Sequence, residues 1–380
     1  MIKLFYILMI ICGMRECASS NRDQSNSPLI PRKILFDNPE KLSPMISPDG
    51  KQLAYLAPDK NDVLNVWLKD LTGTGEDQLV TSDKQRGIRS FFWSYSGKDI
   101  LYIQDIDGDE NWHLYQTNLQ TKKTRDLTPF KGIQTKLLAY EPQFPNDIIV
   151  GLNVRNPALF DVYRINIESG SVDLEVENND NIQQWITDNK LCVRASSSYN
   201  QAGETIIRVR DDNHSPWREL IHWGAEENGH LLSFSPDDLS LYLFSTLDAN
   251  TARLIEVNLS NGSKTTLAED TQYDFLGLLG PEVMLNKNSH NIDAIGVMRE
   301  RLEWIVLDPK IKQDFAILNK SKESLKIISR DLSDQHWIIE YSSDLHSPHF
   351  YLYNRETKEN HFLFSSNPKL DRYQLTQVQF

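Results

Sequence analysis

A unit of about 47 residues recurs along this chain of 380 residues. Ser47-Pro-Asp-Gly-Lys-Gln-Leu-Ala-Tyr aligns with Ser94-Tyr-Ser-Gly-Lys-Asp-Ile-Leu-Tyr at an offset of 47 residues. Each copy begins with turn residues and continues into a short apolar run, which is typical of a turn followed by a buried β-strand. The same offset predicts further units that start near residues 141, 188, 235, 282 and 329.

Each unit contains several strand-like runs. In residues 93–129, the apolar run 99–104 precedes a polar loop, residues 112–119 alternate in polarity, and a second turn leads into a further strand. Repeats of 40–50 residues with about four strands each are typical of propeller blades. The sequence therefore predicts an all-β fold, a seven-bladed β-propeller of four-stranded antiparallel blades. A pair of β-sandwiches is the alternative, but a sandwich has no reason to keep a 47-residue register.

The N-terminus has the pattern of a secretory signal peptide. Lys3 is followed by the apolar run 4–14 and by the small residues Ala18, Ser19 and Ser20. We therefore predict an exported protein, periplasmic or secreted, with no membrane attachment after cleavage. The predicted divisions are a signal peptide (1–20), a flexible lead-in (21–42), a seven-bladed propeller (43–366) and a tail (367–380).

Composition limits the function classes. The net charge of −13 argues against a nucleic-acid-binding protein, which requires a basic surface. Hydrophobic residues make up 39% of the chain, which is sufficient for a folded core. The negative charge is interpreted as a contribution to solubility.

The common catalytic motifs are missing from the sequence. It contains no G-x-S-x-G nucleophile elbow, no P-loop, no H-E-x-x-H and no paired C-x-x-C. We therefore predict no catalytic residue and no cofactor for this chain.

The most concentrated polar cluster is the loop from Asp105 to Asn111, which contains Asp105, Asp107 and Asp109 around Gly108. Alternating carboxylates around a glycine can supply oxygen ligands to calcium, although the spacing is not that of a helix-loop-helix calcium site. The alternative is a tight interstrand turn whose polar side chains bind nearby backbone N–H groups. The turn is the preferred interpretation, and the three aspartates are weak metal candidates.

Four further residues are candidates to face a substrate. Arg86 and Arg89 precede an aromatic strand, where they either face a substrate or pair with the acidic loop. Glu226 and Glu227 are adjacent acids that could bind a peptide amino terminus, but surface loops often carry two neighbouring acids.

The residues of these motifs, and their order along the chain, resemble those of a known family. The stretches that carry the resemblance are Leu42-Ser-Pro-Met-Ile-Ser-Pro-Asp-Gly, Asn65-Val-Trp, Arg86-Gly-Ile-Arg-Ser-Phe-Phe-Trp-Ser and Tyr102-Ile-Gln-Asp-Ile-Asp-Gly-Asp-Glu-Asn-Trp-His-Leu-Tyr. They are similar to the N-terminal propeller of the prolyl oligopeptidase family of serine peptidases, and most of all to bacterial dipeptidyl aminopeptidase/acylaminoacyl-peptidase-like members. The resemblance extends from about residue 30 to the end and weakens around 270–300.

The resemblance implies a propeller that covers an α/β-hydrolase domain and filters peptide substrates by size. No residue of this chain matches the family's Ser, Asp and His triad, so we expect no peptidase activity from the chain alone. The tail 367–380 is interpreted as the stub of a linker to a missing hydrolase domain, which either lies on a separate polypeptide or has been lost. The expected partners are a peptide substrate or a hydrolase domain. The alternative function is that of a stand-alone periplasmic propeller, similar to TolB, that binds a peptide or protein.

Overall fold

The computed structural model describes residues 29–275 and 280–378. The predicted signal peptide, Met1–Ser20, lies outside the described residues, so export stays a prediction. Within the described residues, no helix combines the length and the apolar character needed to cross a membrane.

The described residues form seven antiparallel sheets in sequence order, and six of these sheets have four strands. This confirms the predicted seven-bladed all-β propeller. The first four blades, each given from its first strand to its last, consist of Leu42–Ile46, Gln52–Pro58, Leu64–Asp70 and Gln78–Leu79 (β1–β4); Phe91–Trp93, Asp99–Gln104, His113–Asn118 and Thr124–Asp126 (β5–β8); Thr135–Ala139, Asp147–Asn156, Leu159–Asn166 and Val172–Val176 (β9–β12); and Ile182–Thr187, Val193–Tyr199, Thr205–Val209 and Arg218–Trp223 (β13–β16).

The last three blades follow the same order. They consist of Gly229–Phe234, Ser240–Ser245, Arg253–Asn258 and Lys264–Ala268 (β17–β20); Val283–Leu285, Ile292–Met298 and Leu302–Val306 (β21–β23); and Ser324–Arg330, His336–Ser343, His346–Asn354 and Glu359–Ser365 (β24–β27). The helical segments are Arg32–Phe36 (α1), Lys312–Leu318 (α2) and two short 3₁₀ turns, Pro309–Ile311 and Leu370–Arg372.

Blade six has three strands among the described residues, with a helix after the third. α2 follows β23, and its Phe315 and Leu318 are buried against Trp337 and Tyr353 of blade seven. The Phe315 and Trp337 rings lie 6.1 Å apart, and the Trp337 and Tyr353 rings 6.0 Å apart. The apolar side of this helix therefore contributes to the contact between blades six and seven.

The ring closes without exchange of a strand between the first and last blades. Ile46, Leu53 and Tyr55 of blade one pack against the fully buried Ile338 of blade seven. Ile46 N donates to Ser329 Oγ at 2.8 Å across the same junction. Side-chain packing and a few hydrogen bonds between complete blades therefore hold the ring closed.

Two segments beside the strands reinforce this junction. The backbone N–H of Glu40 donates to the Ser366 carbonyl at 2.9 Å, and Asn367 Nδ2 donates to the Ile34 carbonyl at 2.8 Å. Residues before the first strand and after the last strand are thus bound to each other. Arg32–Phe36, within the predicted flexible lead-in, is a short helix and does not supply a closing strand.

The topology defines two faces of the ring. Loops that join the second strand to the third, and the fourth strand to the next blade, lie on one face, where the described chain also begins and ends; we call it the terminal face. Turns that join the first strand to the second lie on the opposite face. Hydrogen bonds between turns of neighbouring blades, such as Leu332 N to the Pro48 carbonyl at 2.9 Å, show that these turns share that face.

Ile338→Ala should destabilise the fold by about 2–5 kcal/mol, because it removes a fully buried side chain from the contact that closes the ring. Urea unfolding measures this loss. Phe362→Ala, at an exposed position on the outer strand of the same blade where the ring packs against His349 and Tyr351, is the control and should cost no more than about 1.5 kcal/mol. Equal losses in the two variants would contradict the assigned role of the blade one–blade seven contact.

Candidate functional site

The terminal face carries all seven candidate site residues. Arg86 and Arg89 lie in the loop between β4 and β5, and Glu226 and Glu227 in the loop between β16 and β17. The acidic loop, which contains the other three candidates, joins β6 to β7. In every blade the same two kinds of loop lie on this face, so residues far apart in sequence share one surface.

The acidic loop forms a tight turn stabilised by its own side chains. Asp109 Oδ1 accepts the Asn111 backbone N–H at 3.0 Å, and Asp109 Oδ2 accepts from Asn111 Nδ2 at 2.8 Å. These bonds from Asn111 hold the pKa of Asp109 below its usual value. Gly108 has φ +81°, a conformation that favours glycine over residues with a Cβ.

The metal hypothesis receives no support from this arrangement. Across residues 29–275 and 280–378, no three His, Cys, Asp or Glu side chains are grouped in a way that could hold a metal ion. The observed bonds favour the turn interpretation, and a calcium role for Asp105, Asp107 and Asp109 stays a prediction.

Arg86 is brought to the acidic loop. Its Nε lies 3.7 Å from Oδ1 of the buried Asp105, and a Cβ added at Gly108 would lie 2.7 Å from Arg86 Nη1. Both side chains line a cavity of about 370 Å³ together with the stacked rings of Tyr102 and Tyr115, whose centroids are 5.4 Å apart. Arg86 thus pairs with the acidic loop and also lines an open cavity, and its role toward a substrate stays a prediction.

The other three substrate-facing candidates are not brought together with Arg86 in one cavity. Arg89 is exposed in the loop before β5. Glu227 Oε2 accepts the Gly224 N–H at 2.6 Å and so stabilises its own loop, whereas Glu226 is exposed beside it. A role for these residues toward a substrate stays a prediction.

A second cavity, of about 290 Å³, lies inside the ring. Its described lining comes from the first strands and turns of blades one, two, six and seven and from Tyr140 of blade three. The rings of Phe92 and Tyr95 lie 5.0 and 5.1 Å from that of Tyr140 and form an aromatic wall. This cavity is the part of the central channel nearest the opposite face.

Seven equivalent turns border the channel at the opposite face. In six of them a short side chain accepts hydrogen bonds from the backbone of its own turn; for example, Ser47 Oγ accepts the Gln52 N–H at 2.9 Å and Asp331 Oδ1 accepts the Gln335 N–H at 2.8 Å. The six residues are Ser47, Ser94, Asp188, Ser235, Asn286 and Asp331.

Blade three places Glu141 at the seventh position, 47 residues after Ser94 and 47 before Asp188. Glu141 is 8% exposed, and its Oε2 has no hydrogen-bond partner among the described residues. Oε2 lies 3.9 Å from His290 Nε2, and Oε1 lies 4.0 Å from Lys287 Nζ. The carboxylate therefore faces the turn of blade six instead of its own turn.

Burial dominates the electrostatics of this group. It raises the pKa of Glu141 to about 7, an effect that Lys287 partly offsets and Asp238 of blade five strengthens. Burial lowers the pKa of His290, and the neighbouring Lys287 lowers it further. Both pKa shifts are thus in the direction that favours the neutral form. Position 141 was predicted only as the start of a repeat. Its contrast with the other six positions needed the structure, because the 47-residue offset gives Glu282 and Ser329 where the turns of blades six and seven use Asn286 and Asp331.

Glu141→Gln should stabilise the chain increasingly as the pH rises. In the wild type, the folded pKa of about 7 exceeds the unfolded value of 4.5, so the folded state holds the extra proton between them and stability falls as the pH rises through that window. The advantage of the variant should therefore grow up to about pH 7 and then level off at about 3 kcal/mol at most. Urea unfolding across this range measures it.

The matched control is Glu175→Gln, at the outer strand of the same blade, where Glu175 accepts from Arg164 Nε at 2.5 Å. It should not reproduce the gain. A Glu141→Gln chain that follows the wild-type pH course without a growing difference would show that the buried carboxylate does not destabilise the fold.

Comparison with known proteins finds two similar proteins whose names describe peptidases. It is 33% identical over 364 residues to dipeptidyl aminopeptidase BIII of Pseudoxanthomonas mexicana, a match that covers 94% of this chain and 51% of that protein. It is 24% identical over 366 residues to dipeptidyl peptidase family member 6 of Caenorhabditis elegans, covering 92% and 49%. No protein-family profile matches the chain.

Solved structures confirm the fold. A puromycin-hydrolyzing peptidase of Mycobacterium tuberculosis superposes with a TM-score of 0.61 at 14% identity, over 90% of this chain and 56% of the peptidase. The chain spans about half the length of the curated relatives that it matches. The predicted resemblance is thereby confirmed: the chain is a seven-bladed β-propeller homologous to dipeptidyl aminopeptidase BIII over about half of that protein's length.

Proposed function

We propose that this chain is the substrate-gating propeller of a prolyl oligopeptidase-like serine peptidase, and that its terminal face docks the hydrolase domain. The observation that carries the proposal is the uneven distribution of exposed hydrophobic side chains between the two faces. A partner that covers the terminal face leaves the central channel and the edge of the ring as routes for peptides.

Large exposed hydrophobic residues concentrate on the terminal face. Ten of the fourteen in the described chain lie in its loops, at the strand ends beside them or in the terminal segments: Leu29, Leu35, Phe36, Ile106, Val154, Tyr199, Tyr273, Met298, Leu345 and Val378. The opposite face has Leu239, and three lie on outer strands. We interpret this concentration of exposed hydrophobic side chains on one face as the mark of an interaction surface.

The occupant is inferred from the relatives. Dipeptidyl aminopeptidase BIII is about twice as long as the region matched by this chain, and its name describes a peptidase. Both described ends of the propeller lie on the terminal face, where Glu40 and Ser366 are hydrogen-bonded. A domain joined to either end, or a separate hydrolase chain of the same kind, would lie against the face that carries the apolar residues.

Ile106→Glu and Leu345→Glu should weaken docking by about tenfold or more, because each buries a charge in the proposed interface. Ile106 is 58% exposed and Leu345 48% exposed, so neither change should unfold the propeller. The measurement is the affinity, by calorimetry, for the half of dipeptidyl aminopeptidase BIII that this chain does not match, supplied as a separate polypeptide.

Leu239→Glu is the matched control, since Leu239 is 61% exposed on the opposite face. It should leave the affinity unchanged. No association with the hydrolase half, or equal loss in the three variants, would contradict the docking proposal and favour the alternative of a stand-alone binding propeller.

The purified chain alone should not hydrolyse aminoacyl or dipeptidyl chromogenic substrates, because acyl transfer requires a nucleophile, its base and an oxyanion hole in one site. Activity should appear only after the hydrolase half is added. Hydrolysis by the chain alone, persisting through repeated purification and abolished by a serine-reactive inhibitor, would contradict this assignment.

A further inference from the structure

Glu141 is the one member of the seven turn positions whose side chain does not bind its own turn, although its backbone carbonyl accepts the Phe144 N–H at 3.0 Å. The Ser, Asp and Asn residues at the other six positions bring a hydrogen-bond acceptor close to the backbone N–H groups. Glutamate is one methylene longer than aspartate, and its carboxylate lies beyond the turn, in contact distance of blade six. The side chain at position 141 therefore does not accept hydrogen bonds from the backbone of its turn, as the other six side chains do. One of its buried carboxylate oxygens has no hydrogen-bond partner among the described residues.

The contact of Glu141 with Lys287 and His290 crosses the ring. Blades three and six are not neighbours: blades four and five separate them on one side, and blades seven, one and two on the other. The contact therefore divides the channel mouth on the opposite face. The 290 Å³ cavity lies on one side of it, since its described lining comes from blades seven, one, two, three and six.

Glu141 lies close to Lys287 and His290 but forms no direct hydrogen bond with either residue. At 3.9 and 4.0 Å, the two N–O separations lie beyond direct hydrogen-bond range. Charge attraction therefore supplies most of the interaction, and it depends on whether Glu141 is ionised.

The groups that face Glu141 are Lys287 and His290 of the blade six turn, Asp238 of the blade five turn, and the rings of Tyr95 and Tyr140. Burial raises the pKa of both tyrosines, so they stay neutral in the physiological range. Protonation of Glu141 leaves Lys287 without its anionic partner, and protonation of His290 at lower pH adds a second positive charge to the same turn.

We propose that Glu141, Lys287 and His290 form a pH-responsive latch across the channel mouth on the opposite face, which is closed when Glu141 is ionised, loosens when it is protonated, and limits the size of molecules that enter the central cavity. The latch is a more specific form of the proposed gating function, and its biological role rests on that proposal. The latch itself is a property of this chain alone.

The test measures entry into the cavity by cysteine labelling. Ile328 lines the cavity and is partly exposed, so Ile328→Cys supplies a thiol in a background whose native cysteines, Cys12, Cys17 and Cys192, are replaced by serine. The thiol reacts with a small and with a bulky methanethiosulfonate, and the ratio of the bulky to the small rate is recorded. This ratio cancels the effect of pH on the thiolate fraction.

With Glu141 present, the ratio should rise several-fold between about pH 8 and about pH 6, since the protonated fraction of a group with a pKa of about 7 changes by about tenfold over that range. Glu141→Gln should keep the ratio high at both pH values. Glu175→Gln, which removes a carboxylate at the outer strand of the same blade, should retain the wild-type pH response.

A ratio that is independent of pH in the wild type, or a Glu141→Gln chain that follows the wild-type response, would overturn the latch. Equal acceleration of the bulky and small reagents would also overturn it, because it would indicate general loosening instead of a change in mouth size. The experiment contains no hydrolase, so its failure leaves the docking proposal intact, and failure of docking leaves the latch intact.

Discussion

Packing between complete blades is the interaction on which the whole structure depends. The strands pair within their own sheets, so the ring is held together by the apolar faces that neighbouring sheets bury against each other, with individual hydrogen bonds between blades in addition. At the junction of blades one and seven, Ile338 and Leu53 are fully buried and the chain ends are hydrogen-bonded beside them. The same packing fixes all loops of one kind on one face, and it thereby creates a surface with a distinct composition.

The two faces of the ring differ in a way that suits two roles. The terminal face combines exposed hydrophobic residues with the Arg86–Asp105 pair and its cavity. The opposite face consists of short turns, six of which satisfy their own backbone groups, with Glu141 extending across the channel. The proposed docking at one face and the proposed control of entry at the other are compatible because each uses a different set of loops.

The repeat in the sequence was sufficient to predict the fold, because the 47-residue spacing of turns is a direct consequence of the blade. The Ser47 and Ser94 turns lie where the alignment placed them, each directly before a second strand. The helix α2 in blade six was harder to relate to the ring, since its role comes from contacts with Trp337 and Tyr353, which begin 19 residues after its end. To predict that all candidate residues share one face, the order of strands within each blade had to be known.

The site was only partly predictable. The pairing of Arg86 with the acidic loop was one of two interpretations, and the structure shows the pair and the adjoining cavity. The contact of Glu141 with Lys287 joins residues 146 positions apart through the closed ring, and no local pattern encodes such a contact. Closure of the ring also explains why burial, not neighbouring charge, controls the protonation of Glu141.

Hydrogen–deuterium exchange of this chain, with and without the half of dipeptidyl aminopeptidase BIII that this chain does not match, tests the central claim most directly. The account predicts slower exchange in the terminal-face loops at residues 84–89, 105–111 and 344–346, and unchanged exchange in the opposite turns at 48–51 and 236–239. Protection of the opposite turns, or no protection on either face at saturating partner, would contradict the claim that the terminal face docks a hydrolase domain.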